Sequence, residues 1–134
     1  MNNAQVILPE GWKRPKGYAN AIVMPRGRLL FVAGQVGWGS NGRIVSEDFT
    51  AQFKQALLNV RTCVEAAGSS VQHIGRMTLY VTDKGEYTRN LAGVGDAWRE
   101  VMGRHYPAMA LLEVKGLLER GAKIEIEADA VVPE

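Results

Sequence analysis

Apolar residues recur along this chain with two different periods, and each change of period marks an element. Met77, Leu79 and Val81 alternate with Arg76, Thr78, Tyr80 and Thr82, which predicts a strand over 75–82. Phe49, Phe53, Ala56, Leu57, Val60 and Val64 repeat at helical spacing. They predict a helix ending at Gly68, with Ser46 as its cap and Glu47 and Asp48 as acids of its first turn. Residues 19–24 and 28–36 are rich in Val, Ile, Leu and Phe, and Pro25-Arg26-Gly27 between them predicts a β-hairpin. The unbroken run Leu29-Leu30-Phe31-Val32-Ala33 predicts that its second strand is central and covered on both sides. Ahead of these, Val6-Ile7-Leu8 is an edge strand at best, and the packed domain is expected to start near Gly17.

A second helix is predicted from about Glu86, with Leu91, Val94, Trp98, Val101 and Met102 on one face and a stop at Tyr106-Pro107. Gly93 and Gly95 weaken its first half, each by about 1 kcal/mol against Ala. Residues 109–114 and 123–132 read as two more strands, joined through Gly116 and Gly121. The order is ββαβαββ, an α+β fold. Two helices cannot cover both faces of a mixed sheet of five or six strands, so both are expected on one face, and the other face needs a partner. In the last strand Ile124, Ile126, Ala128 and Ala130 point one way and Glu125, Glu127 and Asp129 the other. Those acids either face water or line a subunit interface, where one carboxylate would be free for chemistry.

The chain has 134 residues, 46% hydrophobic and 22% charged, with no linker, repeat or low-complexity tract, and reads as a single domain over 1–134. At this length roughly two-thirds of the unfolded surface is buried without a disulfide or metal staple. The lone Cys63, at helical spacing with Val60 and Val64, is expected to be a buried, inert thiol. The net charge of +2, from 16 basic against 14 acidic residues, lacks the footprint of phosphate-backbone binding, so nucleic acid is not an expected partner. No segment reaches the ~20 apolar residues of a membrane span. The opening Met1-Asn2-Asn3-Ala4-Gln5 has no basic-then-apolar leader, and a cytoplasmic location is the expectation.

Gly37-Trp38-Gly39-Ser40-Asn41-Gly42 matches a dinucleotide fingerprint by letter. It is followed by the β-like Arg43-Ile44-Val45 rather than a helix, so a glycine-rich turn with Asn41-Gly42 at its tip is the better reading. His73 and His105 have no ligand-spaced neighbours, and neither a metal nor another cofactor is expected. Tyr18 and Trp38 are aromatics beside glycines near strand ends, where they either pack or line a pocket.

Beyond these patterns, the chain from Gly17 to its C-terminus resembles the Rid (YjgF) family of enamine/imine deaminases. The residues that carry the resemblance are Gly17-Tyr18, Phe31-Val32-Ala33-Gly34-Gln35-Val36, Gln52, Leu57, Asn59-Val60 and Glu65-Ala66-Ala67-Gly68. It continues through Tyr80-Val81-Thr82-Asp83, Tyr106-Pro107-Ala108 and Lys123-Ile124-Glu125-Ile126-Glu127-Ala128. The resemblance implies a chorismate-mutase-like fold and a homotrimer with clefts at its subunit boundaries. It also implies that Glu125 positions the water that attacks a C=N carbon. Tyr18, Gly34, Gln35 and Leu111 become cleft residues, Leu111 through its backbone, with Trp38 as an apolar wall.

Two positions depart from the family pattern. Met109 stands where an Arg after Pro-Ala holds the substrate carboxylate, and a thioether cannot replace two parallel charge-assisted hydrogen bonds. Gly95 stands where better-studied members often carry an Asn. The resemblance therefore implies a hydrolase acting on a small molecule, with an aminomuconate-like enamine fitting Met109, Trp38 and Tyr18 better than a small 2-imino acid. The alternative is a non-catalytic binding or regulatory trimer of the same fold.

Overall fold

The computed structural model describes residues 3–134; Met1 and Asn2, the start of the segment read as lacking a leader, lie outside them. Its main sheet is built on the strand β6 (Ile124–Pro133), which pairs antiparallel with β3 (Gly27–Val36) on one side and with β4 (Ile74–Val81) on the other. Parallel to β4 runs β5 (Ala108–Glu113), giving a mixed sheet in the order β3-β6-β4-β5. Four strands, rather than five or six, make this sheet. The short β1 (Gln5–Ile7) and β2 (Ala21–Val23) form a separate antiparallel pair, so ordered structure begins well before Gly17.

The helices α1 (Phe49–Ala66) and α3 (Leu91–Met102) pack against each other, and α1 lies on β3 and β6. The alternation along β6 decides which sheet face they cover. Ile124, Ile126, Ala128 and Ala130 are buried with Met77, Leu79 and Val81 of β4 and with the α1 stripe Phe49, Phe53, Leu57, Val60 and Val64. Arg76, Thr78, Tyr80, Glu125, Glu127 and Asp129 are left on the face that carries no helix.

Several expectations are corrected. Residues 19–24 and 28–36 do not form a hairpin. Met24 folds over Gly75, where a Cβ would lie 2.9 Å from the methionine sulfur, and a Cβ at Gly27 would lie 2.2 Å from the Val132 carbonyl oxygen. β3 is thereby pressed against the ten-residue β6, which offers far more pairing than the three residues of β2. β3 is also not central: it is one of the two edge strands, and Leu29 and Phe31 are 73% and 71% exposed.

Asp48, not Ser46, caps α1: its side chain accepts from Ala51 N at 2.9 Å, while Ser46 Oγ accepts from Asp48 N. Cys63 is exposed, because the stripe through Val60 and Val64 is narrow and the residue before Val64 is turned about 100° off it. The second helix is two helices, α2 (Lys84–Arg89), capped by Asp83, and α3, broken at Asn90. Gly93 has a packing reason: a Cβ there would lie 2.9 Å from Thr50 Cγ2, so it permits the close crossing of α1 and α3.

The loop 37–48 is held from beneath by two amides of α1. Asn59 Nδ2 donates to the carbonyls of Val36 and Trp38, at 3.0 and 2.9 Å. Gln52, fully buried, donates to Ser46 O and Gly121 O at 2.8 and 3.0 Å and accepts from Lys123 N at 2.9 Å. Gln52→Ala leaves three backbone groups without their partner, and the expected loss is about 2–5 kcal/mol. Urea unfolding should show it as a lower midpoint with an unchanged slope.

Candidate active site

Glu125 sits on the open face of β6, level with Tyr80 of β4. The strand beside it makes room. Between Val32 and Gln35 β3 carries one residue more than β6, a bulge that brings Gly34 under the carboxylate, where a Cβ would lie 2.5 Å from Glu125 Oε2. Gln35 Nε2 folds back onto the Ala33 carbonyl at 3.1 Å. Two residues along, Glu127 is already engaged, because the Tyr80 hydroxyl donates to its Oε1 at 2.5 Å. That bond, with burial and the nearby charges of Glu127 and Glu125, pushes the Tyr80 phenol above its usual 10.0. Among the described residues Glu125 has no hydrogen-bond or ion-pair partner, so of the two half-buried glutamates on this face it is the one with an unoccupied carboxylate.

Met109 is placed differently. On β5 it pairs with Met77 of β4, turns to the helix side and packs against the core. There it lines a cavity of about 360 Å³ with Leu79, Tyr87, Leu91, Val94, Trp98 and Tyr106. The Trp98 and Tyr106 rings stack at 5.9 Å with planes 10° apart. Leu111, level with Leu79, is half-buried against the same core. Tyr18 is exposed and meets Met109 at the edge of β5, in a smaller cavity of about 250 Å³ with Asn20, Arg76 and Thr78. Trp38 lies in the glycine turn, bridged to Ile44, and lines none of these cavities. That turn is as expected, with Gly42 at φ +77° and its N–H donating to Gly39 O at 2.9 Å.

The structure thus joins Glu125 with Gly34, and Tyr18 with Met109, but it sets these pairs apart. Glu125 and Met109 are on opposite faces, two strands and three residues of register apart, about 14 Å between Cα atoms from ordinary strand spacing and rise. Sequence reasoning missed Tyr80 as the partner of Glu127. The period-two pattern held the signal, since Tyr80 falls on the same face as the acids.

Comparison with known proteins agrees with this architecture. The family model described as Endoribonuclease L-PSP matches residues 13–132. The chain belongs to the Rid (YjgF) family. It is 34% identical to a RutC family protein of Pyrococcus horikoshii, covering 94% of this chain and 96% of that one. It is 35% identical to the 2-iminobutanoate/2-iminopropanoate deaminase of Salmonella typhimurium, covering 78% and 80%. The crystal structure of the Rid family protein YyfB from Yersinia pestis, a protein of unknown function, superposes with a TM-score of 0.85 at 32% identity, covering 98% of this chain and 99% of that one. The α+β fold read from the sequence is therefore that of the Rid proteins.

In this Rid chain a histidine holds the wall of the helix-side cavity. Trp98 Nε1 donates to the His105 carbonyl at 3.1 Å, and His105 Nε2 lies 2.7 Å from the Ile74 carbonyl, so that nitrogen carries a proton. Burial pushes the imidazole below its usual 6.5; the bond to Ile74 opposes this and the charge of His73 adds to it. The unfolded chain therefore binds this proton more readily than the folded one. Stability from His105 is present above pH 6.5 and lost as pH falls through the lower folded value. Thermal unfolding from pH 7.5 downward should show a falling Tm, and His105→Gln, which keeps a donor for Ile74, should flatten that slope.

Proposed function

We propose that this Rid protein hydrolyses an enamine or imine, with Glu125 as the group that orients and deprotonates the attacking water. The observation that carries this reading is the free carboxylate of Glu125 over Gly34, beside a Glu127 whose carboxylate is taken by Tyr80. The deaminase name of the Salmonella relative supports the reaction class. An enamine first takes a proton from solvent at carbon to become the iminium ion. Water then adds to the C=N carbon as Glu125 accepts one of its protons, forming a carbinolamine. Passing that proton to nitrogen, breaking the C–N bond and losing the hydroxyl proton to solvent releases ammonia and leaves a C=O group, for a net consumption of one water. The C=N group is polarised by backbone N–H groups near Leu111, on the edge strand β5.

The opposite facing of Glu125 and Met109 bears on how such a site would be completed. We propose a homotrimer in which the open sheet face of one copy meets the β5 edge of another. Glu125 and Gly34 of one copy then face Tyr18, Met109 and Leu111 of the next. The exposed Leu29 and Phe31 lie on the strand that a neighbour would cover. Gln35, near the end of β3, and Trp38, in the loop after it, then line the wall of the cleft. Because Met109 offers no guanidinium, a second reading is a trimer that binds a small molecule without converting it.

Ammonia release from a panel containing 2-iminobutyrate and 2-aminomuconate-type enamines separates the two readings. Glu125→Gln should reduce turnover roughly a hundred- to ten-thousandfold, as expected for loss of a general base. Glu127→Gln should be far milder, since Tyr80 already occupies that carboxylate. More than about a tenth of wild-type turnover in Glu125→Gln would remove Glu125 from the role. No turnover by the wild-type protein would favour the binding reading. In light scattering the mass should be three times 14.7 kDa, and Phe31→Asp should lower it.

A further inference from the structure

In the cavity between α3 and β5 the structure assigns Arg99 as the group that holds the anionic end of a flat, unsaturated carboxylate. The cavity wall is largely apolar, with Tyr87, Leu91, Trp98, Tyr106 and Met109 among its residues, and among the described residues no Asp or Glu lines it. Two cations do, Arg99 and Lys16. The stacked Trp98 and Tyr106 rings make one wall planar, and the Trp98 N–H is already committed to the His105 carbonyl. This surface therefore presents parallel aromatic rings whose indole N–H is already satisfied, which suits a conjugated or aromatic body.

Arg99 follows Gly95 by one helical turn, and helical side chains lean toward the N-terminus, so its guanidinium lies across residue 95. A Cβ at Gly95 would stand 3.3 Å from Nη1 and 3.7 Å from Nη2. The glycine is otherwise unfavourable in α3, and the guanidinium lies over it within contact distance. Arg99 is paired with Asp96 through Nη2, but both side chains are largely exposed, at 59% and 79%. A pair of that kind holds a guanidinium weakly, and most of its five N–H donors remain for a ligand. A carboxylate receives two of them side by side. The charge that Met109 does not supply is thus supplied from the helix, across the same cavity.

This assignment rests on the deaminase reading for the fate of the ligand but not for its binding, and the experiment separates the two. Sorbate, a flat dienoic carboxylate, and its neutral amide are titrated by calorimetry and by tryptophan fluorescence. Wild-type protein should bind sorbate more tightly than sorbamide. Arg99→Gln should weaken sorbate about ten- to a hundredfold and leave sorbamide unchanged, the range expected for a charge-assisted contact. Arg99→Lys should recover part of the loss. Equal binding of acid and amide, no sorbate binding at millimolar concentration, or an unchanged affinity in Arg99→Gln overturns the assignment. So does a loss found only in Lys16→Gln. If sorbate binding depends on Arg99 while no imine is turned over, the deaminase reading alone fails. If a carboxylate imine is turned over with a KM that Arg99→Gln does not move, this assignment alone fails.

Discussion

Coverage of one sheet face by α1 and α3 is the constraint on which the rest of this molecule depends. Burying Ile124, Ile126, Ala128 and Ala130 beneath the helices turns Glu125, Glu127 and Asp129 to the other side, because neighbouring strand residues point in opposite directions. A slip of one residue in β6 would put those three carboxylates into the core, where unpaired charge is far too costly to keep. Register, and with it the position of the free carboxylate, is therefore held by apolar burial on the opposite face.

Close approaches at glycine refine that frame. Gly34, in the bulge of β3, leaves the volume that Glu125 occupies; Gly93 lets α3 cross Thr50 of α1; Gly95 lies beneath the Arg99 guanidinium. Each weakens its own strand or helix, and each is matched by a neighbour that lies close over it. The consequence is a division of labour between two faces: an unengaged carboxylate on the open side of the sheet, and an apolar cavity with cations on the helix side. Joining them takes more than one copy of the chain in the arrangement proposed above.

Strand and helix identities were legible in the residues themselves. The period of two over Met77, Leu79 and Val81 and the helical stripe from Phe49 to Val64 are local patterns, and both elements formed where those patterns lie. The same holds for the acidic face of β6 and for the Asn41-Gly42 turn. Caps and strand partners were less legible. Ser46 and Asp48 are both good caps, and the choice fell to Asp48 because its carboxylate reaches Ala51 N while Ser46 is used by Asp48 itself.

Sequence alone determined the α+β order, the single face that the helices cover and the side of β6 on which its acids stand, because all three follow from hydrophobic period, which is a property of neighbouring residues. Only the tertiary structure decided that β2 pairs with β1 and β3 with β6, and that Glu127 is engaged by Tyr80, which leaves Glu125 free. It also decided that Met109 faces the helices while Glu125 faces away from them, and that Arg99 lies over Gly95. These are contacts between residues brought together by strand register and helix packing. Most join positions far apart in the chain, and no local period encodes which of several compatible neighbours will meet.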